Sequence, residues 1–313
     1  MATLIFPINN SPVEDAEALR KAVEGWGTDE KTIITILGHR NTYQRQQIRK
    51  AYEELFQEDL VKRLEKEIHG DFERAVYRWI LEPADRDAVL AHVVIRDGKN
   101  YHVIAEIATV LSPEELLAMR RAYLLRYKHS LEEDVAAATS GHLRQLLVGL
   151  VTSYRYVGEE INARLAQSEA EIFHEAIKEK KGSQEEVIRI LTTRSKAQLV
   201  ATFNRYREAH GTSISKKLVD ETSDDFQKAL HTAIRCFNDH TKYYEKVVRN
   251  AIKKVGTDED ALTRVIVSRA EKDLREIKEL YYKRNSVHLE QAVAKEISGD
   301  YKNFLLTLLG KED

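Results

Sequence analysis

ILGHRNTYQRQQIRKAYEELFQEDLVKRLEKEIHGDFERAV, residues 36–76, returns without a gap as VIVSRAEKDLREIKELYYKRNSVHLEQAVAKEISGDYKNFL, residues 265–305. At this offset of 229, Arg40 falls on Arg269, Tyr52 on Tyr281, Leu60 on Leu289 and Glu67 on Glu296. The triplet Gly70-Asp71-Phe72 falls on Gly299-Asp300-Tyr301. Such self-similarity marks a fold built from one repeated supersecondary unit. Two weaker copies lie between. An offset of 71 brings Gly27 onto Gly98 and Tyr52 onto Tyr123; an offset of 154 brings Arg40 onto Arg194 and Asp71-Phe72 onto Asp225-Phe226. The chain divides into a short N-terminal tail, 1–11, and four repeats, 12–83, 84–155, 166–238 and 241–313.

Within each repeat the apolar residues follow helical period, as at Ile48, Tyr52, Leu55 and Phe56, and no strand-like alternation is evident. The four prolines stand in the tail or at helix boundaries. Ser112 to Glu115, Ser183 to Glu186 and Thr257 to Asp260 each read as a capping box, a hydroxyl at the N-cap with an acid three residues on. The reading is all-α, with about five short helices in each repeat.

Composition narrows the function classes. The charge balance is 49 basic against 51 acidic residues, net −2, so no general attraction to nucleic acid is expected. Cys236 is the single cysteine, which rules out an intramolecular disulfide and suits a reducing compartment. The N-terminus MATLIFPINNSPVED carries no basic stretch and too short an apolar run for a signal peptide. No segment approaches the apolar length of a membrane-spanning helix. The expectation is a soluble cytosolic protein. Neither a G-x-x-x-x-G-K-[ST] phosphate loop nor an EF-hand loop occurs.

The loop ahead of the long match carries the chemistry. EGWGTDEKT, residues 24–32, sets Trp26 between Gly25 and Gly27, and KKVGTDEDA, residues 253–261, is its counterpart. Glycines permit positive φ, so such a loop can turn several carbonyl oxygens toward one point. A hard cation such as Ca²⁺ takes six to eight oxygens, neutral carbonyls included. The loop lacks a carboxylate of its own, but Glu67 follows Gly27 by 40 residues, and Glu296 follows Gly256 by the same 40.

G-x-G-T-D with an acid about forty residues on, in four units of about seventy, resembles the annexin family over nearly the whole chain. The tail and the wording of repeat 4 are similar to plant annexins in particular. The resemblance implies a curved all-α disc that binds acidic phospholipid through Ca²⁺ on its convex face. Carried over, the carbonyls of Val23, Gly25 and Gly27 with the carboxylate of Glu67 would form the first site. Those of Ile252, Lys254 and Gly256 with Glu296 would form the fourth, where Lys254 departs from the two-glycine form. Repeat 2 has Arg96 at the first glycine and Ala138 at the acid, so no calcium is expected there. Repeat 3 keeps Glu221, but with one residue fewer between glycine and acid, and the lysines of KEKKGSQEE argue against a cation. Three carbonyls and one carboxylate leave about two coordination places for water or a lipid phosphoryl oxygen, and predict weak affinity for the free protein, on the order of 10⁻⁴ M or poorer.

Trp26 at the first loop tip, Val255 at the fourth, and Lys180 and Lys181 are the expected membrane contacts, the aromatic by its preference for headgroup level and the lysines by attraction to anionic lipid. The partners implied are acidic phospholipids, phosphatidylserine and phosphatidic acid, and F-actin through Ile188-Arg189-Ile190, although that triplet equally suits a helix core. A dimer or membrane-bound assembly is compatible, and the plasma membrane is the expected site of reversible recruitment. Two further readings stand beside the leading one. Asp85, Asp87 and Arg269 suit a calcium-permeable hydrophilic path. His39 occupies a position associated with peroxidase activity in plant annexins, but one histidine without a distal partner is poor support for haem. The cysteine–methionine cluster of some plant relatives needs a second cysteine, which this chain lacks. The expectation is a non-enzymatic calcium-binding protein.

Overall fold

The computed structural model describes residues 1–179, 184–253 and 255–311. In the first repeat lie α1 (Pro12–Ala22), α2 (Glu30–Leu37), α3 (Thr42–Phe56), α4 (Leu60–Glu67) and α5 (Gly70–Ile80). The second holds α6 (Pro83–Asp97), α7 (His102–Val110), α8 (Pro113–Tyr127), α9 (Leu131–Ala138) and α10 (Gly141–Thr152). The third holds α11 (Ala163–Glu179), α12 (Gln184–Thr193), α13 (Lys196–His210) and α14 (Ile214–Lys217). Helix α15 (Asp225–Lys253) is broken at Asp239, whose backbone is extended, so its first half completes the third repeat and its second half opens the fourth. Then follow α16 (Glu259–Arg269), α17 (Leu274–Asn285), α18 (Leu289–Glu296) and α19 (Gly299–Leu308). Each repeat thus contributes five helical segments.

Local chemistry accounts for these boundaries. Asn41 caps α3 in a reciprocal box with Gln44, and Ile48, Ala51 and Tyr52 face the core one turn apart. Ser112 and Glu115 form the expected box at α8. The fourth-repeat box differs from expectation. Asp258, not Thr257, is the N-cap of α16, accepting from the Ala261 amide. Asp260 is drawn off by the buried Arg78 guanidinium, 2.7 Å away, and cannot close a box. Ser183 lies outside the described residues.

The chain forms two compact units, one of residues 1–86 and 244–313, the other of residues 87–243. In the first, α5 packs against α16 and α19, and α2 against α19, so repeats 1 and 4 share one core. Trp79 sits inside it with no exposed surface, its indole N–H donating to the Leu37 carbonyl at 2.7 Å. The Arg45 guanidinium lies 3.7 Å from the Trp79 ring centre and 3.1 Å from Glu271. Thr42 donates to that same carboxylate from its amide and hydroxyl, at 2.7 and 2.8 Å. Burial brings the Arg45 pKa down to about 10, and Glu271 is held below the usual carboxylate range: burial pushes it up, but Arg45 and Thr42 outweigh that. The tail is stitched to repeat 4 by the Thr3 amide on Ala270 and the Thr3 hydroxyl on Leu308.

In the second unit, repeats 2 and 3 share a continuous apolar core that includes Tyr123, Leu147, Phe173, Ile190 and Phe203. No helix among the described residues is long and apolar enough to cross a membrane.

Candidate metal centres

Val23 ends α1 as its C-cap, and Glu67 is the last residue of α4. Backbone carbonyls at a helix C-terminus lack intrahelical partners and carry the negative end of the helix dipole. Two such ends therefore meet at the first loop. Gly25 and Gly27 lie between them with φ of +96° and +92°, the region that excludes most side chains. A methyl group built at either would meet nothing within 4 Å, so backbone conformation rather than crowding requires glycine here. Thr28 ties the loop to α4, its hydroxyl donating to the Glu67 carbonyl at 3.3 Å. Asp29, again not the threonine, caps α2. Its carboxyl is held below its ordinary value by hydrogen bonds from the Thr32 hydroxyl and amide.

One side chain that the repeat pattern did not single out stands inside this site. A single nitrogen of Arg63, Nη2, donates to the Val23 carbonyl at 2.7 Å and lies 3.2 Å from Glu67 Oε1. The two oxygens are therefore no more than 5.9 Å apart, the sum of those contacts. The signal was present in the sequence as an Arg–Glu pair four residues apart on one helix, which ordinarily reads as a surface pair.

The fourth-repeat loop follows the same plan. Ile252 lies in the last turn of α15, Gly256 has φ of +81°, and Glu296 ends α18. The Asp258 amide reaches back to Ala251 at 3.0 Å, just as the Asp29 amide reaches Ala22 at 2.8 Å. Lys254, Lys180 and Lys181 lie outside the described residues. Trp26 and Val255 stand free at the loop tips with relative exposures of 107% and 109%.

Glu67 and Glu296 line one cavity of about 540 Å³, together with Glu30, Asp71, Glu259 and Asp300. The last four stand in the first turns of α2, α5, α16 and α19, where the positive helix end stabilises a carboxylate. Glu67 and Glu296 stand at the opposite, unfavourable ends of α4 and α18. Those two are the carboxylates that a cation would relieve. In repeat 1 the carbonyl donors at a helix end, the positive-φ glycines and the placement of Glu67 at the negative end of α4 fit a hard cation, which carbonyls 23, 25 and 27 with Glu67 would hold.

Repeats 2 and 3 depart from the plan. Helix α9 ends at Ala138, so a methyl group stands where repeat 1 has an acid, and the Ala138 carbonyl accepts from the Tyr101 hydroxyl at 3.2 Å, as the Glu67 carbonyl accepts from Thr28. Helix α14 stops at Lys217, which leaves Glu221 in an irregular segment beyond it and not at a helix end. Among the remaining sequence candidates, Ile188 and Ile190 are buried and only Arg189 of that triplet is exposed, paired with Glu186. His39 Nδ1 lies 2.8 Å from the Thr35 carbonyl.

Comparison with known proteins agrees with this architecture. The annexin family model matches residues 14–79, 86–150, 168–233 and 243–308. The annexin-like protein RJ4 of Fragaria ananassa is 70% identical over 314 residues, covering all of both chains. Chicken annexin V superposes with a TM-score of 0.91 at 36% identity, covering 99% of each chain. A calcium-bound annexin (Sm)1 superposes with a TM-score of 0.82 at 28% identity, covering 99% of this chain and 93% of that one. With four matched repeats and full-length similarity to annexins, the chain belongs to the annexin family.

Proposed function

We propose that the protein binds acidic phospholipid surfaces as a peripheral, non-enzymatic membrane protein, with calcium held by repeats 1 and 4. The observation that carries this reading is a juxtaposition: fully exposed tips, Trp26 and Val255, belong to the same loops as the positive-φ glycines Gly25, Gly27 and Gly256, and Thr28 ties the first of these loops to Glu67. Bound calcium would supply positive charge and about two open coordination places for phosphoryl oxygens. The chain's own residues do the rest. Gly25, Gly27 and Gly256 orient carbonyls, Thr28 holds the first loop on α4, and the tips enter the headgroup layer. The six carboxylates of the shared cavity repel an anionic surface unless a cation intervenes, which makes attachment conditional. Calcium and lipid each strengthen the other's binding, as linkage requires.

On this reading phosphatidylserine and phosphatidic acid are the preferred lipids, the plasma membrane is the site of recruitment, and Lys180 and Lys181 add attraction. Repeats 2 and 3 carry no calcium. The calcium-bound structure of annexin (Sm)1 supports the cofactor assignment. Co-sedimentation with phosphatidylserine or phosphatidylcholine vesicles, in calcium or chelator, is the test. Pelleting is expected only with phosphatidylserine and calcium together, and equal pelleting in chelator would overturn the proposal.

A further inference from the structure

We infer that Arg63 is a resident cation of the repeat-1 site, which calcium must displace, and that the two sites are unequal for this reason. The inference rests on the proposed calcium reading and concerns how that site is regulated. Arg63 Nη2 touches both the Val23 carbonyl and Glu67, two of the oxygens assigned to calcium. A guanidinium on those oxygens and a metal ion on the same oxygens compete. Charge repulsion adds to the competition for lone pairs.

Arg63 is placed to leave. Its side chain is 24% exposed, its Nη1 lies a loose 3.8 Å from Glu58, and its Nε is buried without a hydrogen-bond partner. Glu58 loses little on that departure, because Arg20 holds it at 2.7 Å and the Tyr52 hydroxyl at 3.3 Å. The stem of Arg63 projects from α4 four residues before Glu67, so rotation about its own side-chain bonds suffices to clear the site without moving the helix.

Among the described residues repeat 4 shows no such contact. At the offset of 229, Arg63 corresponds to Ala292 and Glu58 to Val287. Calcium entering beside Glu296 displaces no side chain at that register. Repeat 4 therefore fills first as calcium rises, and repeat 1 fills at higher calcium. Breaking a partly exposed ion pair and a charge-assisted bond to a carbonyl separates the two affinities by about tenfold, or about 1.4 kcal/mol.

The test is calcium chloride titration by calorimetry on the full chain in two backgrounds. Glu296→Gln leaves repeat 1 as the reader, and Glu67→Gln leaves repeat 4. Repeat 4 is expected to bind about tenfold tighter. Adding Arg63→Gln to the first background tightens repeat 1 about tenfold, whereas Arg63→Lys, which keeps the charge but not the guanidinium fork, gives a smaller gain. Adding Ala292→Arg to the second background weakens repeat 4 by a similar factor. Equal affinities in the two backgrounds, or an Arg63→Gln effect that is absent or reversed, overturns the inference. Should neither background bind calcium, the assignment of the carboxylates fails, and this inference fails with it.

Discussion

Replacing Gly27 by alanine separates what the loop does for the fold from what it does for the metal. Gly27 has φ of +92°, and the added methyl would meet nothing within 4 Å, so the penalty is conformational alone. Forcing an L-residue into that region costs about 1–2 kcal/mol. Residues 24–27 are all exposed and nothing packs on the tip, so the loop can relax toward negative φ instead. Relaxation limits the loss in chelator to about 1 kcal/mol, or about 2–4 °C in Tm for a unit of this size. It also changes the direction of the Gly27 carbonyl, which the proposal assigns to calcium. Calcium at 100 times the dissociation constant of a site stabilises the folded state by about 2.7 kcal/mol. The alanine variant forfeits repeat 1's share of that increment. Unfolding curves in chelator and in calcium, for wild type and Gly27→Ala, give both quantities. A variant with a wild-type calcium increment would refute the argument that this carbonyl is a ligand.

Other consequences follow from the core and the loop tips. Trp79→Phe keeps an aromatic side chain, though a smaller one, and leaves the Leu37 carbonyl without its 2.7 Å donor, which should cost about 1–3 kcal/mol in denaturant unfolding. Trp26→Ala should leave stability within about 0.5 kcal/mol, since the ring touches solvent only. The same change should weaken calcium-dependent vesicle binding roughly tenfold, on about 60 Å² of lost ring burial at about 25 cal/mol/Å². Stability should also depend on pH in two windows. His231 has its pKa lowered, first by burial, so below about pH 6.5 the unfolded chain binds a proton that the folded chain resists. Stability present above that pH is lost as pH falls, and His231→Gln should flatten this slope. Glu271 and Asp260 are both held low, against burial, by Arg45 and Arg78. Their contribution is present above about pH 4.3, the upper of their unfolded values, and is lost as pH drops through the folded ones. Thermal unfolding between pH 3 and pH 7 checks both windows.

Much of this molecule is written in its repeats. The match of residues 36–76 to residues 265–305 implies like folds for two quarters of the chain, and helical spacing makes them all-α. The candidate ligands were equally accessible, because a fixed interval of 40 residues between glycine and acid survives in both copies. What escaped the sequence depends on contacts between distant residues. Arg63 looks like half of a surface pair until the folded loop brings the Val23 carbonyl within 2.7 Å. The shared acidic cavity exists only because repeats 1 and 4 pack together, which no local pattern states. Thr257 resembles an N-cap by motif. Asp258 takes that role, and the equivalent threonine of repeat 1, Thr28, spends its hydroxyl on Glu67. The shortening of α14 before Glu221 likewise has no marker in the repeat alignment.

The central claim is that Glu67 and Glu296 hold the calcium that joins this protein to an acidic membrane. Calcium-dependent pelleting of the Glu67→Gln, Glu296→Gln double variant with phosphatidylserine vesicles tests it most directly, with circular dichroism to verify the fold. Loss of pelleting at calcium levels that bring down the wild type is the predicted result. Undiminished calcium-dependent pelleting by the folded double variant would contradict the assignment.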